Sequence, residues 1–338
     1  MKKICVLFSL ILLLFTSITL IGCKKEENKI KIAEVTHSVF YAPQYIAMSE
    51  GIFEKYGLDV EVFLASGADK VMASLLSKDA DIGLMGPEAS IYVYAQGKKD
   101  YAVTFAQLTQ KDGTFIFGRE KNNEFKLSDL SGKSILGGRR GGMPLMTLEY
   151  VLKEAKLSPG KDNPNANVNV RTDIAFAAQA GAFVSGEGDY TTLFEPTASE
   201  LELAGKGYVL ASVGSYTDMV AYTCYSALRS FINKNDKMLV DFTKAINESI
   251  NWVYTHTSEE VAKSIHKYFS ETSIEVLTKS IERYRDIKAW SETPYLDNEE
   301  FIHLQNIIIA SGELDKYMPY DKLVDNKFYL SSNVKRIR

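Results

Sequence analysis

Two carboxylates, a glycine–arginine loop and a pair of aromatic rings are the side chains in this sequence best equipped to hold a small molecule. Glu88 follows Gly86-Pro87 and Glu195 precedes Pro196. Each lies just beyond a β-rich run, where a carboxylate can accept a hydrogen bond from an amine or a protonated ring nitrogen. Glu88 can equally serve only as the acid that complements a helix dipole. Residues 137–143 read Gly-Gly-Arg-Arg-Gly-Gly-Met and lead into Pro144, so backbone N–H groups there are free to face a polar or anionic group. The candidates in that loop are Arg139, Gly141, Gly142 and Met143. Arg139 either pairs with a sulfonate, phosphate or carboxylate, or bridges two parts of the fold through an acid such as Glu195, or faces solvent. Phe40 and Tyr41 offer rings to a planar ligand, a contact adding about 1 kcal/mol beyond burial, with His37 and Ser38 beside them. Thr197 either caps the helix after Pro196 or binds ligand. Gln107 and Tyr222 lie near positions where the chain is expected to pass between lobes.

The same residue types argue against several other chemistries. The glycine loop lacks the Gly-x-x-x-x-Gly-Lys-Ser/Thr spacing of a phosphate-binding NTPase loop. His37, His256, His266 and His303 are scattered, and no Cys/His spacing suits zinc. The reading is therefore of binding without catalysis, with no metal and no cofactor. An enzyme and a lipoprotein used only for surface interaction are the competing classes.

These residues need rigid elements to converge. From residue 31 to residue 228, short β-rich runs alternate with helical patterns, which points to a parallel-sheet α/β architecture. The expected strands are 31–35, 58–63, 82–84, 101–108, 114–117, 134–136, 168–171, 189–193, 208–212 and 222–227. Pro43, Pro87 and Pro144 open helices expected at 44–50, 88–96 and 145–155. After Ser230 the pattern becomes almost wholly helical, with 239–255, 258–268, 273–284 and 298–311 the clearest pieces. Trp252, Tyr254, Trp290 and Tyr295 in that tail are expected to pack the core. So long a chain exceeds the usual ceiling for one core and should split into two lobes, with a ligand where strand ends and helix N-termini meet.

The segment Thr36-His37-Ser38-Val39-Phe40-Tyr41-Ala42-Pro43-Gln44-Tyr45-Ile46-Ala47, followed by Gly51-Ile52-Phe53-Glu54-Lys55-Tyr56-Gly57-Leu58, resembles the opening of periplasmic-binding-type proteins of the nitrate, sulfonate and thiamine-pyrimidine group. Gly67-Ala68-Asp69 with Asp81-Ile82-Gly83-Leu84, then Gly86-Pro87-Glu88, residues 137–143 and Leu193-Phe194-Glu195-Pro196 continue the likeness in order. The resemblance implies a two-lobed type II periplasmic-binding-protein fold and delivery of a solute to an ABC-type permease. It says little about the ligand. The superfamily also includes the fungal-type pyrimidine synthase, with its lysine-bound pyridoxal phosphate and cysteine-rich iron motif; this chain has no cysteine cluster.

At the N-terminus, Lys2 and Lys3 precede an uncharged run from Ile4 to Ile21, the pattern of a signal peptide. A membrane anchor is the rival, the run being close to the minimum length to span about 30 Å of hydrocarbon. Leu20-Ile21-Gly22-Cys23 resembles a bacterial lipobox, which implies a lipid on the Cys23 sulfur and cleavage before it. Processing would move the formal charge from −4 to −6, and no basic stripe offsets that acidity, so nucleic acid is not an expected partner. Cys224 would be the only free thiol.

The expectation is thus residues 1–22 as signal, 23–30 as a lipidated tether, 31–118 with 222–338 as lobe one, and 119–221 as lobe two. The folded body is read as an extracytoplasmic monomer that binds a small organic solute for an ABC permease. Glu88, Glu195, Phe40 and Tyr41 lean toward a nitrogen heterocycle such as a thiamine pyrimidine precursor. Arg139 and the glycine loop instead permit a sulfonate or nitrate-type anion.

Overall fold

The computed structural model describes residues 29–332. The signal segment, Cys23 and most of the tether lie outside the described residues. Among the described residues eleven strands form two sheets. The first holds β1 (Lys29–Glu34), β2 (Asp59–Leu64), β3 (Ile82–Met85), β4 (Ala102–Thr109) and β11 (Thr223–Leu228), in the order β2-β1-β3-β11-β4. The second holds β5 (Phe115–Gly118), β6 (Lys133–Leu136), β7 (Pro159–Lys161), β8 (Val168–Arg171), β9 (Tyr190–Leu193) and β10 (Tyr208–Ser212), in the order β10-β5-β9-β6-β8-β7. β1 runs parallel to β2 and β3, whereas β11 is antiparallel to β3 and β4. Every residue of β3, β4 and β11 is buried: β3 and β11 are central, and the edge strand β4 is covered by packed helices and by the bridge from Thr104 to Val324.

Helices longer than four residues number ten among the described residues: α1 (Ala42–Ser49), α2 (Ala68–Ser77), α3 (Glu88–Ala95), α4 (Met143–Glu154), α5 (Gln179–Val184), α6 (Thr197–Leu203), α7 (Asp236–Thr255), α8 (Ser258–Ile265), α9 (Ile274–Asp286) and α10 (Asn298–Ala310). Their starts follow local chemistry. A proline stands in the first turn of α1 and of α4, where its missing N–H costs nothing. Thr257 and Glu260 form a capping box at α8, and Ser273 and Asp297 cap α9 and α10.

The chain passes between the sheets twice. The β4 ladder ends at Thr109 and β5 begins at Phe115, so the first crossing is residues 110–114. This corrects the expectation that residues through Gly118 belong to lobe one. Phe115–Gly118 is wholly buried and pairs antiparallel on its two edges with β9 and β10, which makes it an inner strand of the second sheet. Gly118 marks a strand end rather than a crossing. The return crossing, residues 213–222, ends at Tyr222. β7 is an unexpected element. Its proline occupies the first position of an edge strand, where no ladder donor is required.

One core cluster joins the first sheet to α1 and the tail helices, including Phe105, Tyr225, Phe242, Ile281 and Trp290. A second, smaller cluster lies between the second sheet and α4, with Ile135, Leu148 and Val170 at its centre. Trp290 is fully buried and its Nε1 donates to the Phe40 carbonyl at 2.9 Å, as core packing requires of an indole. The tail also leans on the second lobe, with α9 touching α6 and α10 touching α4.

Candidate functional site

Helix N-termini from both lobes converge on one cavity of about 490 Å³. Lobe one contributes the turn after β1 (Val35 to Ser38, with Tyr41), the start of α2 (Gly67, Ala68) and the start of α3 (Gly86, Glu88). Lobe two contributes the start of α4 (Gly142 to Leu145) and residues 193–197 leading into α6. The N–H groups in a first helical turn have no partner inside the helix, so this arrangement favours polar or anionic ligand atoms. Aromatic rings line the rest, with Phe176 and Phe194 from lobe two, Tyr41 from lobe one and Tyr222 from the return crossing.

The most informative side chain is Glu88. It is only 2% exposed, and its Oε2 has no hydrogen-bond partner among the described residues. The carboxylate folds back over Gly86 so closely that a Cβ there would lie 1.9 Å from Oε2. Only glycine permits this conformation of the Gly86-Pro87-Glu88 turn. Burial pushes the Glu88 carboxyl up to about 7, while a hydrogen bond from its own backbone and the positive charge of Arg139 pull the other way. An unpaired buried carboxylate costs stability, and a donor on a ligand would offset that cost.

His37 is held from three sides. Its Nε2 donates to the Tyr268 carbonyl at 2.8 Å, and its Nδ1 lies 2.8 Å from the Tyr45 hydroxyl and 3.2 Å from Glu34 Oε1. Phe269 stacks on it with ring centroids 4.5 Å apart. The Glu34 carboxylate raises the imidazole above its ordinary value, and burial opposes the shift. Glu34 also accepts from Gln44 and Tyr45, so a buried polar network supports the ring at the cavity edge. Ser38 is committed to structure: its Oγ caps the turn through Phe40 N at 3.1 Å and donates to the Glu195 carbonyl at 2.6 Å.

Glu195 reaches the cavity wall, but its carboxylate does not face a ligand as expected. It accepts from Arg283 Nη1 at 2.8 Å, from Ser199 and from Ser280, and the side chain is wholly buried. A guanidinium of the chain itself already occupies the place assigned to a ligand cation. Arg139 lies at the mouth, where its Nη2 approaches Asp69 Oδ1 at 3.2 Å across the two lobes. It therefore bridges the lobes through Asp69 and not through Glu195.

His37, Ser38, Tyr41, Gly86, Glu88, Arg139, Gly142, Met143, Glu195, Thr197 and Tyr222 all line this one cavity. Phe40, Gln107 and Gly141 do not. Phe40 is fully buried against Phe194, Tyr222 and Tyr284, so its ring builds the floor beneath the site. Gln107 lies within β4 and donates to Glu300, away from the cavity. Gly141 takes a left-handed φ of 71° that shapes the loop without lining the space. Of the other lining residues, Gly67, Gly138 and Phe194 stand inside motifs noted in the sequence without being named as contacts, and Phe176 was missed altogether. Gly138 and Phe194 adjoin residues that were singled out, but nothing local marks Phe176, whose place depends on the fold of residues 172–178.

Among the described residues no group of His, Cys, Asp and Glu could hold a metal, and no helix is long and apolar enough to cross a membrane. Cys224 is a buried free thiol in β11.

With this geometry in view, comparisons place the chain among known proteins. A family model described as NMT1/THI5 like matches residues 39–260. YtlA of Bacillus subtilis (strain 168), a provisionally named binding protein, is 46% identical over 316 residues, which is 93% of each chain. The alkanesulfonate-binding protein SsuA from Xanthomonas axonopodis pv. citri, solved bound to MOPS, has a TM-score of 0.69 at 15% identity, over 88% of this chain and 98% of that one. The periplasmic nitrate-binding protein NrtA from Synechocystis PCC 6803 also gives 0.69 at 15% identity, over 91% of this chain and 88% of that one. At such identities the likeness is one of fold, and the fold is the α/β periplasmic-binding-protein architecture.

Proposed function

The chain belongs to the NMT1/THI5-like family, and from that premise we propose that it is the substrate-binding component of an ABC-type importer. Lipidated Cys23 would hold it outside the cell membrane. A small organic solute enters between the lobes, the lobes close on it, and the loaded protein presents it to a permease as a monomer. The ligand we favour is a nitrogen heterocycle bearing an N–H donor, of the kind found in a thiamine pyrimidine precursor.

The observation that carries this reading is the buried Glu88 carboxylate in a ring-lined cavity, its Oε2 without a hydrogen-bond partner among the described residues. An amino group on a planar ring would give Glu88 its missing hydrogen bond, while the ring displaces water from Tyr41, Tyr222, Phe176 and Phe194. Charged hydrogen bonds of this kind are about twice as strong as neutral ones. A sulfonate or nitrate-type anion is the second reading, supported by the converging helix N-termini and by Arg139. It requires Arg139 to leave Asp69 and Glu88 to be protonated.

A thermal-shift screen of the full chain in mild detergent, against pyrimidines, thiamine fragments, sulfonates, nitrate and flavins, tests the proposal. A ligand present at a hundred times its Kd stabilises the folded state by about 2.7 kcal/mol, which raises Tm by roughly 5 °C or more. A rise with thiamine's hydroxymethylpyrimidine is the expected result. A rise with sulfonates alone would move recognition to Arg139, and no rise with any solute would contradict a transport role for the cavity.

A further inference from the structure

The Glu195 carboxylate is fully buried and turned to the protein interior, and its main partner, Arg283, lies 88 residues along the chain. Arg283 Nη1 donates to Glu195 Oε1 at 2.8 Å and to Ser199 Oγ at 2.6 Å, while Nη2 donates to Glu202 Oε2 at 2.6 Å. Lys279 reaches the same Glu202 oxygen. The Glu195 backbone is gripped as well. Its N–H donates to the Tyr284 hydroxyl at 3.0 Å and its carbonyl accepts from Ser38 Oγ at 2.6 Å. Tyr284 in turn donates to the Gly113 carbonyl in the first crossing at 3.1 Å.

The two sides of this network belong to different lobes. Ser280, Arg283 and Tyr284 lie on α9, whose inner residues Leu277, Ile281 and Tyr284 sit in the core built on the first sheet. Glu195, Ser199 and Glu202 lie at the start of α6 or on it, beyond β9 of the second sheet. The segment they anchor supplies Phe194, Glu195, Pro196 and Thr197 to the cavity wall. Arg283 itself does not line the cavity. Its planar fork reaches two carboxylates at once, a geometry an ammonium cannot reproduce. Any movement of α6 relative to α9 must break these bonds or carry both helices together.

We propose that Arg283 is a positioning residue for the ligand cavity: through Glu195 and Glu202 it holds the lobe-two wall at residues 194–197 in register against lobe one, and so sets how long a bound solute is retained. This rests on the cavity being the solute site. Without Arg283, Glu195 would be a buried charge lacking its partner, and the wall it anchors would part from α9.

The test uses the full chain in mild detergent with spin labels at Lys70→Cys in lobe one and Lys206→Cys in lobe two, both exposed positions. Interlobe distances are measured by double electron–electron resonance without ligand, and hydroxymethylpyrimidine dissociation is followed by stopped flow. Arg283→Met is expected to broaden and lengthen the distance distribution and to speed dissociation at least tenfold, with association changed less than twofold. Arg283→Lys is expected to fall between it and the parent chain, and it carries the test if Arg283→Met does not fold. An unchanged distance distribution and dissociation rate in folded variants, with only a lower Tm, would reduce Arg283 to a structural residue and overturn the proposal. Failure of the parent chain to bind the pyrimidine would defeat the ligand reading alone, and the distance measurement would then decide the role of Arg283.

Discussion

Glu88 carries a conflict between stability and recognition. Its folded carboxyl titrates at about 7, against an ordinary value near 4.5, so the folded state holds a proton that the unfolded state has released between those values. The Glu88 contribution to stability is therefore fully present below about pH 4.5 and is lost as pH rises through about 7, by roughly 3 kcal/mol at the upper end. Glu88→Gln should remove that loss. Its ligand-free Tm should exceed that of the parent chain at pH 8 and match it near pH 4.5, as read by calorimetry. Glu88 could be recognised as a candidate because Gly86-Pro87 announces a helix start after a strand. The neighbouring reasoning failed for Glu195, because Arg283 lies far along the chain and only the fold brings the two together. Phe40 and Tyr41 looked equivalent in sequence, yet one lines the cavity and the other lies under it, a distinction set by the turn that Ser38 caps.

At the scale of elements, the site depends on backbone that approaches side chains closely. Gly86→Ala would force the Glu88 carboxylate out of its position, since the added Cβ would meet Oε2 at 1.9 Å. Affinity for hydroxymethylpyrimidine should fall about as far as in Glu88→Gln, and the double variant should be little worse than either single one, measured by fluorescence or calorimetric titration. The strands were largely legible because buried parallel and central strands read as short apolar runs between turn residues. β7 was not, since Pro159-Gly160-Lys161 has no strand-like composition and exists through its pairing with β8. The first crossing was misplaced for a related reason. Phe115–Gly118 is apolar enough for either sheet, and the choice is made by its partners β9 and β10 rather than by its own residues.

Across the whole molecule, the lobes are joined by two chain crossings, by the Arg283 network and, at the mouth, by the Arg139–Asp69 pair. That last pair is exposed on both sides, 41% and 61%, so it is screened by water and salt. Asp69→Asn should change Tm by less than about 1 °C and alter ligand association chiefly through its salt dependence, seen in stopped-flow rates at two ionic strengths. Ligand binding should also draw the lobes together, visible as a smaller radius of gyration in solution scattering. The most direct test of the central claim is a calorimetric titration of hydroxymethylpyrimidine into the parent chain and into Glu88→Gln at pH 8. Saturable one-to-one binding is expected, weakened on the order of a hundredfold in the variant, the loss that follows when a buried charged hydrogen bond is removed. Equal affinity in the two proteins, or no binding to either, would contradict it.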